Sequence, residues 1–281
     1  MKNYRKIGSP YIIWTVIFIV IPLIMVLYYA FTAETGEVTF ENFNRFFHSN
    51  SLTTLGRSLK IAFLTTLICL VLGYPVAFMI SKAKSSFRAT ALMLVVIPMW
   101  MNFLLRTYSW ITILSRNGIL NKFLMKFGLG PFDFLYTEGA VILGMVYNFL
   151  PFMILPIYTI LEKMDEGLIE AAQDLGCNKI QTFWKVIFPL SLPGVFSGSS
   201  MVFIPAISTF EITVLLGGNK TNLIGNVIEQ QFTVIGNWNY GAALSVILMI
   251  FLVASLIFNK EEKDKYSKKE RIKTEKEVGN V

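Results

Sequence analysis

The chain reads as an all-α membrane protein on three observations: 54% of its 281 residues are apolar, only 15% are charged, and the apolar residues gather into long stretches. A mean hydropathy of +0.58 is too high for a single water-soluble core, so lipid has to serve as part of the solvent. Six stretches, 11–31, 59–80, 89–114, 138–160, 193–216 and 240–258, reach the roughly 20 apolar residues that a helix needs to cross a bilayer. Inside them only Lys60, Arg106, Glu138 and Glu211 are charged. Backbone groups in hydrocarbon must be paired within their own segment, and barrel strands would be about half as long and alternate in polarity, so each stretch is expected to be a helix.

The first stretch exceeds the roughly 7–15 residue apolar segment of a signal peptide, and Thr32-Ala33-Glu34-Thr35-Gly36 is a poor cleavage site, so it is expected to be retained. Three parts follow: an N-tail at 1–10, a six-helix membrane domain at 11–258 containing a loop at 161–192, and a charged C-tail at 259–281. Lys and Arg number three in the N-tail, three in the 81–88 loop, three in the 161–192 loop and eight in the C-tail, against seven in the loops on the other side. The positive-inside rule therefore places both termini in the cytoplasm. The net charge of +7 flanks membrane spans on that side, which points to anionic lipid and not to nucleic acid.

Within the spans, Pro22, Pro75, Pro98, Pro151, Pro156 and Pro205 each remove a helix hydrogen bond and invite a kink. If the third and fifth spans run straight, a rise of about 1.5 Å per residue puts Arg106 roughly 27 Å along the third and Glu211 at a similar depth on the fifth. Charged groups at such depths face a partner or a watery path, so the two form either a structural ion pair or part of a permeation path. Trp100, Tyr108, Trp110, Trp238 and Tyr240 lie toward the same side, as an interfacial belt or as rings to hold a cation.

Several chemistries are excluded. The run Gly217-Gly218-Asn219-Lys220-Thr221 lacks the spacing and the Gly-Lys pair of a P-loop. One histidine, His48, and two isolated cysteines, Cys69 and Cys177, assemble neither a catalytic set nor a metal cluster, so no catalytic residue and no metal ligand is expected.

The 161–192 loop carries the clearest pattern. Leu168, Ala171, Ala172 and Leu175 recur at helical spacing, Asp165 and Glu166 favour a helix start, and Gly176 stands where the helix should end. Ile180, Phe183, Trp184 and Ile187 make a second apolar stripe running toward the membrane. The alanines permit close approach of another surface, so this short helix is expected to dock on a partner.

Glu170-Ala171-Ala172, three residues, Gly176, nine residues, then Val186-Ile187-Phe188-Pro189 resembles the EAA loop of ABC importer permeases, E-A-A-x3-G-x9-I-x-L-P, with Val186 and Phe188 as conservative departures. Longer runs resemble the permease subunits of spermidine/putrescine importers: Arg57-Ser-Leu-Lys-Ile-Ala62, Cys69-Leu-Val-Leu-Gly-Tyr-Pro-Val-Ala-Phe78, Ile97-Pro-Met-Trp-Met-Asn102, Arg106-Thr-Tyr108, Leu150-Pro-Phe-Met-Ile-Leu-Pro156 and Leu223-Ile-Gly-Asn-Val-Ile228.

The resemblance implies a type I importer permease fold in a prokaryotic inner membrane. It implies partners: a second, similar permease, two ATPase subunits that bind ATP and Mg, and an extracytoplasmic binding protein that delivers a polyamine. This chain itself is expected to hold no cofactor. The resemblance further implies that Glu170, Ala171, Ala172, Gly176 and Pro189 couple the ATPase to the pore. A polycationic solute makes an acid in the path physically sensible, so Glu211 is the first pathway candidate, with Arg106, Trp100 and Tyr108 beside it. Another small solute, such as an amino acid, a metal or an oxyanion, stays open. An ion-coupled secondary transporter is the more distant alternative, and it would commonly show internal repeats.

Overall fold

The computed structural model describes residues 9–48, 50–218 and 220–257; the C-tail at 259–281 and most of the N-tail lie outside them. Among the described residues the regular elements are helical, numbered here in chain order: α1 Pro10–Ala30, α2 Glu41–His48, α3 Ser51–Lys82, α4 Ser85–Trp100, α5 Phe103–Leu114 and α6 Ile119–Met125. Then come α7 Glu138–Glu162, α8 Glu166–Asp174, α9 Lys179–Ser208, α10 Glu211–Gly217, α11 Ile224–Gln230 and α12 Trp238–Ile257. Five of these are long and apolar enough to cross a membrane, and the bent pair formed by α4 and the Phe103–Met125 segment makes a sixth span.

The core is the three-helix contact of α3, α7 and α9. Lipid gives helices no hydrophobic reason to associate, so close packing of small residues has to hold them together. At Gly194 and Gly198 of α9 an added Cβ would come within 2.9 Å of the Pro156 carbonyl oxygen and of Met153 Sδ on α7. Larger side chains point outward: Phe63, Val71 and Met79 of α3 are exposed, as lipid permits. The first helix, α1, is unburied over most of its length, and among the described residues its C-terminal end packs on α12, where Ala30 meets Ala242, Ala243 and Val246 with Val26 and Tyr29 alongside.

The third and fifth spans are not straight, which corrects the sequence expectation. Between α4 and α5 the chain turns by 92°. Pro98 lies in the last turn of α4, Met101 and Asn102 take extended-type ψ angles of 147° and 128°, and Asn102 Oδ1 accepts from the backbone N–H groups of Leu104 (2.9 Å) and Leu105 (3.2 Å) to start α5. Similarly α9 stops at Ser208, Thr209 is extended at ψ 141°, and Glu211 begins a new helix. A depth counted along a straight helix therefore fails for both Arg106 and Glu211. At the other end, α9 starts well before residue 193, so much of the 161–192 loop is helix continuous with the fifth span.

Two π-helical turns, Val16–Val20 and Phe183–Ile187, immediately precede Pro22 and Pro189. A proline ring clashes with the carbonyl of the preceding turn in α geometry, and a widened turn absorbs that clash without ending the helix.

Candidate functional site

At the loop end of the bundle, α8 is defined at both ends by side-chain and backbone chemistry. Asp165 Oδ1 accepts from the Gly167 N–H at 2.9 Å, capping the N-terminus. At the C-terminus Gly176 has φ +86°. Its N–H donates to the Gln173 carbonyl at 2.9 Å, and the Cys177 N–H donates to the Ala172 carbonyl at 3.0 Å. This paired closure needs a left-handed residue, which glycine supplies without a Cβ penalty. Two residues later Asn178 and Gln181 exchange side-chain to backbone hydrogen bonds of 2.8 and 3.0 Å, a reciprocal cap that starts α9.

The short helix is laid open. No residue of α8 is buried, Glu170 and Ala171 are exposed and Ala172 is half-buried. Leu175 is 87% exposed, and Leu168, Ile180 and Trp184 present further apolar surface beside it. The five residues singled out in the sequence thus lie on one connected segment, with Pro189 half-buried where α9 leaves its π turn.

One exposed ion pair links α8 to a membrane helix, and further contacts join the helix ends around it. Lys82 at the end of α3 reaches Glu166 at 3.4 Å. Arg88 on α4 pairs with Glu162 at 3.3 Å and donates to the Ser81 carbonyl at 2.8 Å. Deeper, the buried Ser191 hydroxyl donates to the Phe188 carbonyl, which leaves the Tyr74 hydroxyl to donate to Ser191 Oγ at 2.8 Å. The Tyr74 ring packs against Phe183 and Phe188 with centroids 5.8 and 5.6 Å apart. These ties join the base of α9 to α3 and were not read from the sequence. The signal for Tyr74 was a lone hydroxyl-bearing ring inside an apolar span.

The helices α5 and α10, which carry Arg106 and Glu211, pack against each other. Arg106 on α5 is buried, its Nη1 donates to the Pro98 carbonyl at 2.8 Å, and its guanidinium lies 5.6 Å from the Tyr147 ring centre and 5.9 Å from that of Phe103. It makes no ion pair with Glu211, which is half-buried at the start of α10. Trp100 at the bend is 83% exposed and Tyr108 is also exposed. Of the remaining aromatics, Tyr240 already holds a cation of its own chain, with Arg45 4.4 Å above its ring, and Trp110 packs edge-on to Tyr147. A cavity of about 490 Å³, bounded by the α4–α5 break, α7 and α9, contains Arg106 in its wall. Among the described residues no three His, Cys, Asp or Glu side chains gather into a metal site.

At the loop end of a chain with kinked apolar spans, α8 is thus an open helix capped at both ends. Residues 4–259 match the family described as binding-protein-dependent transport system inner membrane component, and the chain belongs to that family. It is therefore a multi-pass inner-membrane protein of the ABC permease type. Among its relatives, the spermidine/putrescine transport system permease protein PotB of Haemophilus influenzae is 43% identical over 266 residues, covering 92% of this chain and 93% of that one. PotB of Escherichia coli K12 is 40% identical over 252 residues, 87% and 92% of the two chains. In solved structures the fold is similar to that in a bacterial ABC transporter involved in the import of the acidic polysaccharide alginate, with a TM-score of 0.80, 19% identity and coverage of 93% and 95%.

Proposed function

We propose that this chain is the permease subunit of an ATP-driven importer and forms half of the pathway for a polyamine such as spermidine or putrescine. The observation that carries the reading is the capped, uncovered α8 bearing Glu170-Ala171-Ala172 and Gly176; the identity to the spermidine/putrescine permeases supplies the solute. Both termini and α8 face the cytoplasm, where two ATPase subunits with their ATP and Mg grip α8. A second, similar permease supplies the other half of the pathway, and a soluble binding protein delivers the polyamine from outside. A second structure of similar fold, a bacterial alginate ABC transporter in complex with an alginate pentasaccharide-bound periplasmic protein (TM-score 0.74, 19% identity), favours that last partner. When the ATPases close, α8 is displaced, and the Lys82–Glu166, Arg88–Glu162 and Tyr74–Ser191 ties carry the displacement into α3, α4 and α9. Glu211 is a substrate-pathway acid in this reading.

The test is solute-stimulated ATP hydrolysis by the reconstituted transporter against a panel of spermidine, putrescine, an amino acid, a divalent metal and an oxyanion. Polyamines stimulate and the others do not; Glu211→Gln weakens the stimulation. Stimulation by a different solute alone overturns the polyamine assignment, and an unchanged Glu211→Gln transporter removes Glu211 from the pathway.

A further inference from the structure

Asn148 lies near the middle of α7, about 15 Å from Glu138 at 1.5 Å per residue, and is only 2% exposed. Its Nδ2 donates to the Gly144 carbonyl at 2.8 Å, which settles the orientation of the amide. Its Oδ1 is buried and has no partner among the described residues. A buried acceptor left without a donor is destabilising, and more so in hydrocarbon, so such an atom calls for an N–H or O–H group from elsewhere. Asn148 lines the 490 Å³ cavity described above, together with Arg106 and the rings of Phe103, Phe149 and Phe152. Arg106, 7% exposed, has an unpartnered Nε in the same wall. Phe152 and Met201 also line an adjoining hollow of about 490 Å³ that extends along α7 and α9 to Thr159 and Ser197, nearer the loop end.

We propose that Asn148 Oδ1 accepts a hydrogen bond from a substrate ammonium group halfway across the membrane, and that Arg106 opposes this contact so that the cation is released. An ammonium has donors and no acceptor, so it satisfies the free amide oxygen. Phe149 and Phe152 in the same wall add apolar surface without a fixed negative charge. A neutral amide oxygen binds a polycation more weakly than a carboxylate would, and conduction needs sites that bind weakly enough to release. The positive Arg106 in the same cavity pushes in the same direction. This inference rests on the polyamine reading above.

The experiment measures KM and kcat separately for labelled spermidine uptake by the complete transporter in proteoliposomes, with assembly checked by co-purification. Asn148→Leu removes the acceptor and raises KM about 5- to 10-fold. Asn148→Asp supplies a charge, lowering KM and slowing turnover together. Arg106→Gln removes the opposing charge and also lowers KM. If either Asn148 variant assembles yet leaves KM at the wild-type value, or if Arg106→Gln raises it, the inference is overturned while the polyamine reading stands. A wild-type transporter that takes up no spermidine overturns both.

Discussion

Gly176 carries the most specific chemistry of the loop. At φ +86°, with nothing within 4 Å of an added Cβ, a substitution there acts through the backbone alone unless the new side chain brings charge. Gly176→Ala is expected to destabilise the end of α8 by roughly 1–2 kcal/mol, the cost of a left-handed non-glycine residue. Gly176→Asp adds a carboxylate to the exposed docking face. The amount of chain in the membrane should stay at the wild-type level, while capture of the ATPase from detergent-solubilised membranes falls several-fold; equal capture would contradict the docking role. This residue was legible in the sequence because a positive φ leaves its mark as glycine at a fixed distance from the helix start. Asn148, Tyr74 and Ser191 were not, because their meaning lies in which groups across the bundle do or do not meet them.

At the scale of elements, apolar length gave the spans away, and the breaks within them stayed hidden. A hydropathy window averages over Asn102, a single polar residue in an apolar run, and over the short polar group Ser208, Thr209 and Glu211. Asn102 nevertheless caps the helix that follows the break, so its removal should weaken the 92° bend. Asn102→Ala is expected to destabilise the cap by about 1 kcal/mol. Spin labels on the exposed Leu94 and Ile119 positions, in a background without Cys69 and Cys177, should then show a distance distribution broadened toward the longer spacing of a straight helix. An unchanged distribution would mean that Pro98 and tertiary packing alone set the bend. The same hidden breaks are why a depth counted along straight helices fails for Arg106 and Glu211. The prolines were a partial signal: Pro22 and Pro189 sit behind π turns instead of breaks, a distinction that depends on the backbone upstream and not on the proline.

Across the whole molecule, the packing of α3, α7 and α9 is accompanied by three features: an exposed helix at the loop end, a cavity beside the middle of α7 with a buried amide, and an α1 that meets α12 by its end and leaves its length unburied. None of these is complete within one chain. An open docking helix needs something to grip it, and a cavity in the wall of a bundle is half of a path. In the proposed reading these features belong to a permease that works as one part of an assembly, with the driving force entering at α8 and the solute passing beside α7 and α9. The most direct measurement is accumulation of labelled spermidine by proteoliposomes that contain this chain with its partner permease, ATPase and binding protein, with ATP sealed inside. The label should accumulate above its external concentration, depend on ATP, be competed by putrescine, and be lost with Gly176→Asp. Equilibration without ATP, or accumulation that Gly176→Asp leaves intact, would contradict the account.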